Sequence, residues 1–189
     1  MRQRAFALLA GLGLAFYRIV AQRTEVKTAA SYFSGLKRTP WIRVIETDTV
    51  PKTKAATWML MPVAGGDTEP IGQRISEVPE NVERTMLRDT ASGFIAYVPL
   101  GSVKKGEELI TTGGGKTTPC GICHGQDLRG LGPMPPLAGR SPSYIVRQIY
   151  DMQHGFRNGL SVALMMPVVA KLSEEDIINI VAYTASRAP

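Results

Sequence analysis

The chain has 189 residues, of which 44% are hydrophobic and 7% aromatic, with 19 Gly and 13 Pro. This composition excludes a fibrous or disordered protein, and the length suits one large domain or two small ones. The net charge of +6 does not mark a nucleic-acid binder: residues 1–43 carry eight Lys/Arg against one acid, whereas residues 44–189 carry 14 against 15. The body of the chain has no basic run interleaved with aromatics, so nucleic-acid binding is excluded. A loop-rich chain with few aromatics needs another filler for its core.

Arg2 and Arg4 form a basic start, and Ala5 to Tyr17 is a 13-residue stretch without charge. A membrane-spanning helix needs roughly 20 apolar residues, and Arg18 interrupts this one. Residues 1–21 therefore read as an export signal, cleaved after Ala15 or Ala21, with an uncleaved membrane anchor as the alternative. No cysteine lies nearby, which excludes a lipoprotein anchor. The expected location is the periplasm or the periplasmic face of the membrane, with membrane association through an uncleaved N-terminus or a complex left open.

Residues 22–43, with Arg23, Lys27, Lys37, Arg38 and Arg43 among Thr, Ser and Ala, read as a basic linker or short helix. Residues 44–100 read as a small β-rich extension. Its expected strands are 57–61, 73–78 and 93–98, separated by turn signals at Gly65-Gly66-Asp67 and Pro79-Glu80-Asn81. Glu80 to Arg88 fits either a short helix or another strand. The segment has no metal cluster and no repeat, so both a docking surface and a structural cover remain open.

Cys120 and Cys123 are the only cysteines, and they read Cys120-Gly121-Ile122-Cys123-His124. A disulfide across so short a loop would remove little unfolded-state entropy. A thioredoxin-like pair needs a strand before it, and Thr111-Thr112-Gly113-Gly114-Gly115 is a poor strand. A zinc site needs four ligands, and only His154 remains beyond Cys120, Cys123 and His124. None of these readings explains the adjacent histidine. Covalent attachment of a c-type haem does, because two thioethers would fix the porphyrin edge and His124 would then reach the iron axially.

Downstream, Ser141 to Gln153 reads as a helix opened by a Ser-Pro start signal, with Tyr144, Ile145, Ile149 and Met152 apolar. Ser173-Glu174-Glu175-Asp176 reads as an N-cap with acids in the first turn of a helix running to about Arg187. Ile177, Ile180, Val181 and Tyr183-Thr184 give that helix one apolar face. A second axial ligand must come from His154, Met165 or Met166.

These motifs, in this order, resemble those of a class I monohaem cytochrome c, and the resemblance covers residues 101–189. Lys104 to Ile110 is similar to that family's N-terminal helix, whose glycine lets the C-terminal helix cross closely. The resemblance implies that Gly106 and Ile110 meet Ile180 and Tyr183. Pro135-Pro136-Leu137-Ala138-Gly139-Arg140 resembles the loop whose first proline carbonyl accepts the proximal imidazole N–H, which assigns Pro135 to His124. Counting back seven residues from Leu172 implies Met165 as the sixth ligand, while a Met-Pro pairing would select Met166. His154, at the end of a helix, is the weaker choice. Arg140, Tyr144 and Arg147 are candidate donors to haem propionates by position, with an exposed helix face the other reading of Arg147.

The expected fold class is α+β: a small β-rich extension followed by an all-α cytochrome c domain, residues 101–189, around one covalent haem c. His/Met ligation raises the reduction potential and closes the iron to oxygen chemistry. The expected activity is single-electron transfer between a redox protein donor and acceptor, as a carrier or as the cytochrome subunit of a respiratory or dehydrogenase complex, rather than catalysis. The alternative is a peroxidase-like haem enzyme with a labile sixth ligand.

Overall fold

A computed structural model of the chain describes residues 23–36, 38–56 and 58–189; the export signal expected over residues 1–21 lies outside them. Residues 1–38 and 39–189 are separate units. In the first, helix α1 covers residues 23–35 and is exposed throughout. Among the described residues no helix is long and apolar enough to cross a membrane.

The second unit begins with short strands. β1 is Ile42–Glu46, β2 Thr49–Pro51, β3 Thr53–Ala56, β4 Met59–Pro62, β5 Thr68–Pro70 and β6 Ser76–Pro79. Helix α2, Val82–Met86, is capped by Asn81, whose side chain accepts from the Arg84 N–H. β7, Phe94–Val98, is the central strand of a three-stranded sheet ordered β1-β7-β6. β1 runs parallel to it with Ile42 opposite Phe94, and β6 antiparallel with Ser76 opposite Tyr97. β2 pairs with β5, and β3 with β4, as antiparallel ribbons.

Three of the strands match expected ones within a few residues. β1 does not: it starts at Ile42, inside the stretch read as linker, because its partner β7 lies far along the chain and no local pattern announces that pairing. The segment between Glu80 and Arg88 takes the helical option. Residue 57, at the start of one expected strand, lies outside the described residues.

The helical part follows. α3, Ser102–Thr112, ends at Gly113, whose φ of 79° is the left-handed cap that glycine supplies freely. α4 is a single turn, Gly121–His124; α5 is Pro142–Gln153, N-capped by Ser141; a 3-10 turn covers Leu160–Val162; α6 is Met166–Val169; α7 is Glu174–Ser186. α7 carries a full capping box, with Ser173 and Asp176 exchanging side-chain and backbone bonds.

Nine of the thirteen residues of α7 are buried, more than the single apolar face the sequence pattern implies. The reason is that two layers cover it. Ile177, Ile180 and Val181 join Leu109, Ile110, Ile145, Ile149 and Met152 of α3 and α5 in the main core, while Ala185 packs with Ile42 and Ala96 of the sheet. α3 crosses α7 at Gly106, where an added Cβ would lie 1.9 Å from the Asn179 carbonyl oxygen and 2.9 Å from the Tyr183 Cβ. Only glycine permits that approach.

Candidate functional site

Cys120 sits where α3 and α4 meet. Its N–H donates to the Ile110 carbonyl at 3.0 Å, and it opens the turn that ends at His124. A helical turn puts residues three apart on one face, so Cys120 and Cys123 share a side of the turn. Both are free thiols, Cys120 half-buried and Cys123 exposed. Burial pushes the Cys120 thiol up to about 11. A redox-active pair relies on a readily ionised thiol, and the burial of Cys120 works against that. Among the described residues no group of three or more His, Cys, Asp or Glu is placed to hold a metal ion.

His124 is buried at 4% exposure. Its Nδ1 lies 2.7 Å from the Pro135 carbonyl oxygen. A carbonyl only accepts, so Nδ1 carries the proton, and in the neutral ring Nε2 is left as a bare acceptor. That Nε2 is buried and has no hydrogen-bond partner. An unpaired buried acceptor costs about 1–3 kcal/mol, so the site calls for an electrophile there. Iron satisfies it.

The loop that delivers Pro135 is itself fixed. The Leu128 carbonyl accepts from both Leu137 and Ala138, and the His124 carbonyl accepts from Gly130 at 2.9 Å. Gly130 has a φ of 96°, and a Cβ there would meet the Met134 carbonyl oxygen at 2.8 Å. Leu128, at φ 60°, holds a left-handed conformation that few side chains adopt. The strain is maintained because its side chain is buried and its carbonyl serves two donors.

Met165 and Met166 are half-buried against the same core cluster that Cys120 joins. Met165 is bonded at both ends, donating to Val162 at 2.8 Å and accepting from Val169 at 3.1 Å. Packing alone does not choose between the two thioethers. His154 is exposed, its Nδ1 lies 2.9 Å from the Tyr150 carbonyl, and its ring stacks on Tyr150 and Phe156. It is already satisfied. Arg140, Tyr144 and Arg147 are exposed near the start of α5.

Other polar residues in this region carry no sequence signal. Thr117 Oγ1 donates to the Val168 carbonyl at 2.7 Å, and Gln153 Nε2 donates to Val169 and Leu172 at 2.7 and 2.8 Å. Lys116 Nζ reaches both Asp176 oxygens at 2.9 and 2.8 Å. Isolated polar residues acquire such roles only through tertiary placement. Spacing could not have found them.

Cytochrome c-554(548) of Halomonas halodenitrificans is 40% identical over 88 residues, which span 46% of this chain and 98% of that protein. The chain belongs to the c-type cytochromes. These are proteins of haem-based electron transfer. Cytochrome c4 of Pseudomonas aeruginosa is 37% identical over 76 residues, 40% of this chain and only 36% of that protein. The structure of reduced recombinant cytochrome c4 from Pseudomonas stutzeri aligns at 25% identity over 57% of this cytochrome and 67% of that chain, with a TM-score of 0.43. No family model matches the chain.

Proposed function

We propose that this cytochrome carries one haem c of class I type, attached through Cys120 and Cys123 and ligated by His124 and Met165, with Met166 the alternative. The observation that carries the reading is the buried, unpartnered His124 Nε2 behind an Nδ1 engaged by Pro135. When bound, haem c supplies a reversible one-electron iron couple. The residues around it do the rest. Pro135 fixes the tautomer and orientation of His124, and so keeps Nε2 free in both oxidation states. The Met165 thioether would supply a second ligand to the iron, which would favour electron transfer over peroxide chemistry.

Leu109, Ile149, Val169 and Leu172 belong to the apolar cluster against which Cys120, Met165 and Met166 pack, and their burial keeps water from that side. Arg140, Tyr144 and Arg147 are the proposed donors to the propionates. The β-rich segment is read as a cover for the helical part rather than a separate functional module. Export to the periplasm, and exchange of electrons with a protein donor and acceptor as carrier or complex subunit, complete the reading.

The test is mass and spectrum of the exported protein. The expected outcome is a mass above the bare polypeptide by one haem, low-spin iron, and the weak sulfur-to-iron charge-transfer band. Met165→Ala abolishes that band and Met166→Ala keeps it. A high-spin resting form would favour the enzyme alternative, and absence of Soret absorbance would overturn the reading entirely.

A further inference from the structure

Helix α6 is too short to hold itself. A helix leaves its last four carbonyls without partners, and a single turn is far below the length at which helices persist alone. Here two of those carbonyls are met from outside: Val168 accepts from Thr117 Oγ1, and Val169 accepts from Gln153 Nε2 as well as from the Leu172 N–H. The same Gln153 amide nitrogen also donates to Leu172. Its two N–H bonds thus bridge two carbonyls of the segment that leads from the methionines into α7. Gln153 is the last residue of α5, directly after the buried Met152. It transmits the position of a core helix to a segment that has little regular structure of its own.

The other end of that segment is Met165, whose carbonyl accepts from Val169. A displacement at Val169 therefore moves the methionines. Thioether sulfur is a weak ligand for ferric iron, so its occupancy depends on how well the chain holds it in place. We propose that Gln153 is a positioning residue for the sixth ligand: by bridging Val169 and Leu172 it holds the methionine segment against the iron, and its loss opens the iron to external ligands. The inference rests on His/Met ligation as read above.

Imidazole titration of the oxidised holoprotein tests it. Imidazole binds only iron that methionine has left, so its apparent affinity scales with the open fraction. Gln153→Met keeps the side-chain length and removes both donors; imidazole should bind about tenfold tighter, in line with the loss of one or two hydrogen bonds. Gln153→Lys restores donors and should bind imidazole as the wild type does. Ile42→Val, in the distant sheet cluster, should lower the melting temperature without changing imidazole affinity. Unchanged affinity in Gln153→Met overturns the proposal, as does equal tightening in Ile42→Val or in Gln153→Lys. If Gln153→Met cannot be loaded with haem, Gln153→Asn, too short to span both carbonyls, must show the same tightening or the proposal fails. A wild type without the charge-transfer band sinks the ligation reading instead.

Discussion

The β-rich part, residues 42–98, and the helical part, residues 102–186, handle their backbone polar groups in opposite ways. Strands of three to five residues satisfy themselves by pairing across the chain. Helices satisfy their middles and leave their first N–H groups open. The first part closes the second. Glu46 at the end of β1 accepts from the Val103 N–H at the start of α3, and Glu77 of β6 accepts from the Ser141 hydroxyl and the Ser143 N–H at the start of α5. Among the described residues, only α7 carries a full capping box, through Ser173 and Asp176. The boundary near residue 100 therefore separates two compositions within one compact unit. The β-rich segment supplies the negative charge that two helix starts favour.

The comparison breaks most sharply at Gly106. Gly106→Val places carbon where the Asn179 carbonyl oxygen already stands, 1.9 Å from the ideal Cβ position. α3 and α7 must part, exposing Leu109, Ile110, Ile177 and Ile180. The expected loss exceeds about 4 kcal/mol, enough to prevent recovery of folded, haem-loaded protein. Yield and Soret absorbance of the exported variant measure it. A well-folded Gly106→Val protein would show that the helices do not depend on this contact.

Legibility in the sequence follows the range of the interactions. Cys120, Cys123 and His124 stand out because their spacing is confined to a few residues, as covalent haem attachment would require. The α5 and α7 starts are readable because Ser141 and Ser173 cap within their own turn. Pro135 was reachable only through the family resemblance, since a carbonyl bears no side-chain signature. The parallel pairing of β1 with β7 is invisible, because Ile42 and Phe94 are linked by register rather than by any local turn. Glu46, Glu77, Thr117 and Gln153 were missed for the same reason. Each is an ordinary polar residue whose partner lies elsewhere in the chain or is a backbone group.

The self-capped helix gives the next largest effect, and it depends on pH. Burial of Asp176 favours its protonated form, but bonds from Lys116 and from the Ser173 backbone and hydroxyl outweigh that, and the carboxyl is held below its ordinary 3.8. A carboxyl lowered in the folded state stabilises above its unfolded value, and that stability is lost as pH falls through the folded value. The wild type should therefore melt above Asp176→Asn by the equivalent of about 1–2 kcal/mol near neutral pH. The gap should hold down to about pH 5 and close at lower pH. Melting curves from neutral pH to pH 3 measure the difference. A gap that widens in acid would reverse the assignment.

The carboxylates contributed by the β-rich part come third. Glu46→Ala and Glu77→Ala should each cost about 1 kcal/mol, a melting shift of about 2–4 °C. Glu77 should cost the more, because it holds a hydroxyl that in turn accepts from the Tyr144 N–H. The two sites cap different helices, so their effects should add in the double variant. If the double variant melts as the wild type does, the β-rich part is a bystander.

Arg43 offers the smallest effect and the control for this argument. It pairs with Glu80 at 3.0 Å within the same β-rich part, but both side chains are largely exposed, at 58% and 42%. An exposed pair contributes about 0–1 kcal/mol and is screened by salt. Arg43→Ala should therefore shift the melting temperature by no more than about 1–2 °C at low ionic strength, and less in high salt. Glu77 faces neutral backbone and hydroxyl donors at a helix start, so its contribution should resist salt better than that of Arg43. Melting both variants across a salt series separates placement from charge. Were Arg43→Ala to cost as much as Glu77→Ala, the stabilisation would come from the number of ions in the β-rich part rather than from which helix ends they face.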